Sequence, residues 1–98
     1  MDSIDFLAKL ETVIQDRLNQ QTAGSYTVAL AAGGPLKVAQ RLGEEAVEIV
    51  VAAVAEDDKR LTDETADLLY HLLVLLRVRG LSLADAVAEL ERRYNARR

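Results

Sequence analysis

Cysteine and tryptophan are missing from this chain, and histidine and proline occur once each. Without thiols no disulfide can form. One histidine and no cysteine also argue against zinc or another soft-ligand metal. The lack of cysteine fits a reducing cytoplasm, which is the expected location. Three tyrosines and one phenylalanine are the only aromatics, so Leu, Val and Ala must fill the core. Basic charge is short as well: the net charge of −4 disfavours general nucleic-acid binding. The leucine-rich run Leu68–Leu76 contains His71 and is far too short to span a bilayer, so no membrane partner is expected. Met1–Asp5 lacks the basic region of a secretory signal.

What is present is a 98-residue chain, half of it apolar. That length predicts one domain spanning 1–98 with a small core. Ala and Leu with a single Pro predict an all-α fold. Asp2 or Ser3 can cap a first helix, on which Ile4, Leu7, Leu10, Ile14 and Leu18 recur at helical spacing as far as about Asn19. A short helical segment follows from Ser25 to Ala32. Pro35 suits the first turn of a second helix, which runs to about Glu56. Asp57–Arg60 reads as a turn, and its shortness makes the second and third helices antiparallel neighbours. The third helix starts near Lys59 or Thr62 and ends at Arg79. Gly80 suits a left-handed C′ position. Ser82 and Asp85 resemble a capping box opening a last helix, whose apolar stripe is Leu83, Val87, Leu90 and Tyr94. The expected architecture is a bundle of four main helices plus a short one. The basic tail Arg92–Arg98 reads as a solvated end.

The acidic residues are unevenly spread. Nine lie between Glu44 and Asp67, against only Lys59 and Arg60. On a helical wheel Lys37, Arg41, Glu44, Glu45 and Glu48 share a little over one quadrant. Val38, Leu42, Ala46, Val47, Ile49, Val50 and Val54 occupy most of the rest. On the next helix Glu64, Asp67, His71 and Val74 align among leucines. The hairpin is expected to bring Glu48 level with Asp67. Ionised carboxylates grouped in apolar surroundings cost several kcal/mol each unless compensated. A hard dication such as Mg²⁺ compensates them: it takes oxygen ligands and is commonly shared with substrate phosphates. The bland alternative is a pair of exposed acidic patches. The second and third helices are apolar almost all round, more than a chain this small buries, which predicts a homodimer sharing one bundle.

Three segments carry a resemblance. They are Ser25-Tyr26-Thr27, the run from Gly34-Pro35 through Lys37, Ala39-Gln40-Arg41 and Gly43-Glu44-Glu45-Ala46 to Glu48, and Asp67-Leu68-Leu69-Tyr70-His71 with its leucines. Over roughly residues 25–93 the chain resembles the phosphoribosyl-ATP pyrophosphohydrolases of histidine biosynthesis. The broader EExxE…ExxD pattern is that of the MazG-like all-α nucleotide pyrophosphohydrolases.

The resemblance implies a MazG-like fold and Mg²⁺-dependent hydrolysis of the α–β phosphoanhydride of phosphoribosyl-ATP, giving phosphoribosyl-AMP and pyrophosphate. It makes Glu45, Glu48, Glu64 and Asp67 the magnesium ligands, with Glu44 a supporting carboxylate that orients water or a second ion. Lys37 and Arg41 would hold phosphate oxygens. Arg41 stands where the family more often has Lys, keeping charge but changing geometry. Some relatives are fused to a zinc-dependent cyclohydrolase; with no cysteine, this chain is expected to be the monofunctional form. His71 is a candidate base or orienting group that could bond to Asp67. Tyr26 is a candidate purine stacker, and Tyr70 a packing residue. The rival functions are a house-cleaning (d)NTP pyrophosphohydrolase and a non-catalytic helical interaction module.

Overall fold

A computed structural model describes residues 4–97. The expected cap at Asp2 or Ser3, and Arg98 of the basic tail, lie outside the described residues. Five helices account for most of the rest: α1 (Phe6–Gln20), α2 (Tyr26–Ala32), α3 (Gly34–Ala55), α4 (Asp58–Val78) and α5 (Leu83–Ala96). The all-α expectation of four main helices and a short one is borne out. No helix of the described residues is long and apolar enough to cross a membrane.

Local chemistry sets each boundary. Ser25 Oγ accepts from the Val28 N–H at 3.3 Å and opens α2, which buries Thr27 and Leu30. Gly33 ends α2 and also caps α3. Gly34 turns the corner at φ +82°, where a side chain would be strained, and Pro35 sits in the first turn of α3. At the end of α4, Gly80 has φ +77°. Its N–H donates to the Arg77 carbonyl at 3.0 Å, and the Leu81 N–H donates to Leu76 at 2.7 Å, which is a Schellman ending. The Ser82 N–H then donates to Asp85 Oδ2 at 2.9 Å, as the expected capping box requires.

The α3–α4 connection is tighter than the expected turn at 57–60. Only Glu56 and Asp57 lie between the helices. Asp57 Oδ1 accepts from the Arg60 N–H at 2.9 Å, so Asp58, Lys59 and Arg60 are already helical.

Ile14, Leu30, Val38, Leu73 and Val74 form the core, with Leu7, Leu10, Leu18, Tyr70, Leu75, Val78 and Leu83 packed around them. The inner line of α3 is Val38, Glu45 and Ala52; that of α4 includes Glu64 and His71. Each line repeats every seven residues, the spacing of a helix–helix seam. Glu45, Glu64 and His71 therefore take seam positions that apolar residues normally fill. Along the seam, Val38 and Val74 supply packing at one end, and the carboxyl groups lie further along.

The opposite face of α3 is open: Val47, Val50, Val51 and Val54 are exposed. So are Val87, Leu90 and Tyr94, and α5 has no buried residue; beyond the half-buried Leu83 its expected apolar stripe faces outward. One anchor fixes the start of α5. Glu11 Oε2 on α1 accepts from the Leu83 N–H at 2.7 Å. The accessible surface is 6851 Å². A compact monomer of this mass exposes about 5,500 Å².

Candidate active site

Glu45 and Glu64 face each other across the seam with only 3% and 5% of their surface exposed. Each is gripped from the outside by an arginine one turn earlier on its own helix. Arg41 Nη2 lies 2.9 Å from Glu45 Oε1, and Arg60 Nη2 lies 2.8 Å from Glu64 Oε1. The other oxygen of each, Oε2, is buried without a donor. Glu48, exposed one turn along α3, brings a third carboxyl alongside. One oxygen from each of Glu45, Glu48 and Glu64 lies within 4.8 Å of the others.

Three carboxyl groups at this separation cannot all ionise cheaply. Burial and the contact with Glu48 raise the Glu45 pKa, with Asp67 adding to the rise and Arg41 opposing it. The bond to Glu48, reinforced by burial, pushes Glu64 up to about 7, although Arg60 pulls the other way. Glu48 is lowered: beside Glu64 and Glu45 it is the member of the three that keeps its charge.

Asp67 stands outside this trio. It is exposed, and it acts on Glu45 through space. The hairpin register thus differs from the expected one: Glu48 meets Glu64, not Asp67. The two-residue connection is the cause, since Asp57 starts α4 before the residues assigned to the turn. Glu44 lies at the rim, its Oε1 2.9 Å from Arg41 Nη1, and Arg41 bridges it to Glu45. Lys37 is exposed one turn before Arg41.

His71 does not reach the Asp67 carboxylate. Its Nδ1 donates to the Asp67 backbone carbonyl at 2.7 Å, which leaves Nε2 to accept from the Tyr26 hydroxyl at 2.9 Å. Both ring nitrogens are occupied and the ring is buried, so His71 has no lone pair to offer a water molecule. Tyr26 also bonds to Arg41; that contact, after the one to Glu44, raises the Arg41 pKa. Tyr70 packs as expected, edge-on to His71 with ring centres 5.5 Å apart, and its hydroxyl bonds to Thr27. Tyr26 thus ties α2 to both flanks of the carboxyl trio, a role that its isolated position in the sequence does not signal. Arg60 is the residue that sequence reasoning passed over. Its signal was present: Arg60–Glu64 repeats the i,i+4 spacing of Arg41–Glu45.

A profile of the phosphoribosyl-ATP pyrophosphohydrolases matches residues 7–94, with the carboxyl trio and both arginines inside the match. The chain belongs to that family. It is 55% identical over 91 residues to a phosphoribosyl-ATP pyrophosphatase of Pyrobaculum islandicum, covering 93% of this chain and 97% of the relative. A phosphoribosyl-ATP pyrophosphatase of Pyrobaculum aerophilum is 52% identical with the same coverage. A histidine biosynthesis bifunctional protein of Xylella fastidiosa is 52% identical over 89 residues, 91% of this chain but 43% of that longer protein. The recognition made from the sequence motifs holds, and this chain matches both the short and the fused relatives.

Proposed function

We propose that this chain hydrolyses the α–β phosphoanhydride of phosphoribosyl-ATP, releasing pyrophosphate and leaving phosphoribosyl-AMP, the second step of histidine biosynthesis. The observation that carries the reading is the pair of buried, donor-less oxygens on Glu45 and Glu64, aligned with Glu48 in a member of this family. An all-carboxylate donor set of this kind fits a hard dication. Glu45, Glu48 and Glu64 would hold Mg²⁺, with Asp67 as the outer fourth carboxylate. The bound ion would offset triphosphate charge and make the phosphorus more electrophilic.

The chain's own groups supply the remainder. Lys37 and Arg41 hold phosphate oxygens at one end of the trio. Glu44, beside Arg41 at the rim, orients the attacking water. The water oxygen bonds to the α-phosphorus, the bridging P–O bond breaks, and pyrophosphate departs with that electron pair. Tyr26 and His71 keep Arg41 in place and do not touch the reacting atoms. A freely diffusing nucleotide substrate is consistent with a reaction in the cytoplasm.

A second copy of the chain completes the bundle. The open valine face of α3 and an accessible surface about 1,300 Å² above that of a compact monomer support a homodimer.

The purified chain should be assayed with Mg²⁺ against phosphoribosyl-ATP, ATP and dNTPs, reading pyrophosphate and orthophosphate separately. Preferred cleavage of phosphoribosyl-ATP with pyrophosphate release is expected. Equal or faster cleavage of a dNTP would overturn the substrate, and no cleavage of any nucleotide would overturn the enzyme reading.

A further inference from the structure

Arg41 and Arg60 are placed as counterparts. Each precedes a buried glutamate by one turn, and each holds that glutamate's Oε1 at 2.9 and 2.8 Å respectively. Because α3 and α4 run antiparallel, "one turn earlier" points in opposite directions along the hairpin. Arg41 therefore lies about 6 Å to one side of the trio and Arg60 about 6 Å to the other. Both act on Glu48 through space. Along the hairpin the order is Lys37, Arg41, the carboxyl trio, Arg60. The cationic groups that begin the site at Lys37 are thus matched by one at its far end.

Arg60 is also the exposed member of its pair. Its side chain is 56% exposed, against 6% for its partner Glu64, and its helix start is fixed by its backbone N–H on Asp57 rather than by its guanidinium. Glu56 and Glu64 share it at rest. A dication on Glu64 would weaken the hold of that carboxylate on a neighbouring cation. The released guanidinium would then stand at the rim with five donors suited to phosphate oxygens.

We propose that Arg60 is a phosphate-binding residue that occupies Glu64 in the cation-free chain and passes to the end of the substrate polyphosphate remote from Lys37 and Arg41. The inference rests on the nucleotide-hydrolase reading given above. It assigns Arg60 two opposed relations: competition with the dication and cooperation with the anion.

Those relations separate it from a residue that merely holds Glu64 in position. In calorimetric titration with Mg²⁺ alone, R60Q should bind the ion about threefold more tightly than wild type, because a repelling charge is gone. With phosphoribosyl-ATP, R60Q should raise KM about tenfold and leave kcat nearly unchanged. R60K should restore the wild-type Mg²⁺ affinity and recover only part of KM. R92Q, which breaks the pair with Glu89 on α5, should alter neither. Weaker binding of both Mg²⁺ and substrate in R60Q would make Arg60 a support for Glu64 and overturn the proposal. Unchanged binding of both would overturn it too. If wild type fails to cleave phosphoribosyl-ATP, the substrate reading falls. Titration of inorganic pyrophosphate with Mg²⁺ still decides Arg60: weaker pyrophosphate binding by R60Q supports the proposal, and equal binding refutes it.

Discussion

Tyr26 and His71, 45 residues apart, are joined by a 2.9 Å hydrogen bond in which the tyrosine hydroxyl donates to Nε2. The direction follows from the other nitrogen, which is committed to the Asp67 carbonyl. Tyr26→Phe would leave a buried acceptor without its donor and Arg41 without one of its contacts. The expected cost is about 1 kcal/mol, read by urea unfolding. Since His71 is not the base, the shape of the pH–rate profile should survive. Disappearance of the acid limb in Tyr26→Phe would contradict this assignment of His71.

The carboxyl trio predicts an unusual pH dependence without metal. Glu64 is raised to about 7 and Glu45 is raised as well, so between about 4.5 and 7 the folded chain binds protons that the unfolded chain has released. Stability from these two groups is present at the acid end of that window and is lost as pH rises through it. Glu48, which is lowered, works the other way, losing its contribution only as pH falls below the ordinary carboxylate range. The melting temperature in EDTA should therefore fall from pH 5 to pH 7.5. A flat or rising profile would show that Glu45 and Glu64 are not raised.

Glu48→Gln removes the charge that both buried glutamates face, while keeping size and helix propensity. At pH 7.5 without metal the variant should be as stable as wild type or more so. It should lose most of the Mg²⁺-dependent rise in melting temperature and at least about 100-fold in activity. Asp67→Asn should show the same pattern. Glu89→Gln on α5 should change neither activity nor metal response. A metal-free Glu48→Gln that unfolds yet still responds to Mg²⁺ would mark Glu48 as structural.

Gly33, between α2 and α3, has no room for a side chain against the first turn of α3. A Cβ there would sit 2.7 Å from Lys37 Cβ and 2.8 Å from its Cγ. The Cγ can swing away by rotation about the Cα–Cβ bond, but the Cβ is fixed by the backbone. Gly33→Ala should cost about 1–3 kcal/mol and raise KM by displacing Lys37. Gly43, also on α3, has nothing within 4 Å of such a Cβ. Gly43→Ala should stabilise by about 0.5–1 kcal/mol. Thermal unfolding of the two variants reads both signs.

The exposed valines of α3 predict an obligate dimer. Sedimentation at micromolar concentration should find two chains per particle, and Val50→Glu, at the middle of that face, should shift the particle toward one chain. A compact, stable wild-type monomer would refute the shared bundle.

Much of this was legible in the chain. Helix limits followed from Pro35, Gly80 and the Ser82–Asp85 box, because those signals act within a few residues. The family was legible for the same reason: its motifs are local runs around Glu44–Glu48 and Asp67–His71. The hairpin register was not. It turns on Asp57 acting as a cap and not as a turn residue, which moved the partner of Glu48 from Asp67 to Glu64. The wheel correctly gathered Lys37, Arg41, Glu44, Glu45 and Glu48 on one face. It gave no sign that Glu45 would be buried in the seam while Val47, Val50 and Val54 stayed exposed. A wheel ranks faces by hydrophobicity, and in this hairpin the site takes the seam from the apolar residues. The Tyr26–His71 bond joins segments 45 residues apart, and no local pattern announces it.

The raised pKa values of Glu45 and Glu64 have a consequence for loading the site. A dication that takes their oxygens must displace the protons held there, so occupancy is an exchange and not a simple addition. Protons are expelled into the surrounding solution as the ion enters. The heat measured on loading will then vary with the ionisation enthalpy of the buffer. The apparent affinity will steepen as the solution becomes more alkaline, until Glu64 has already surrendered its proton.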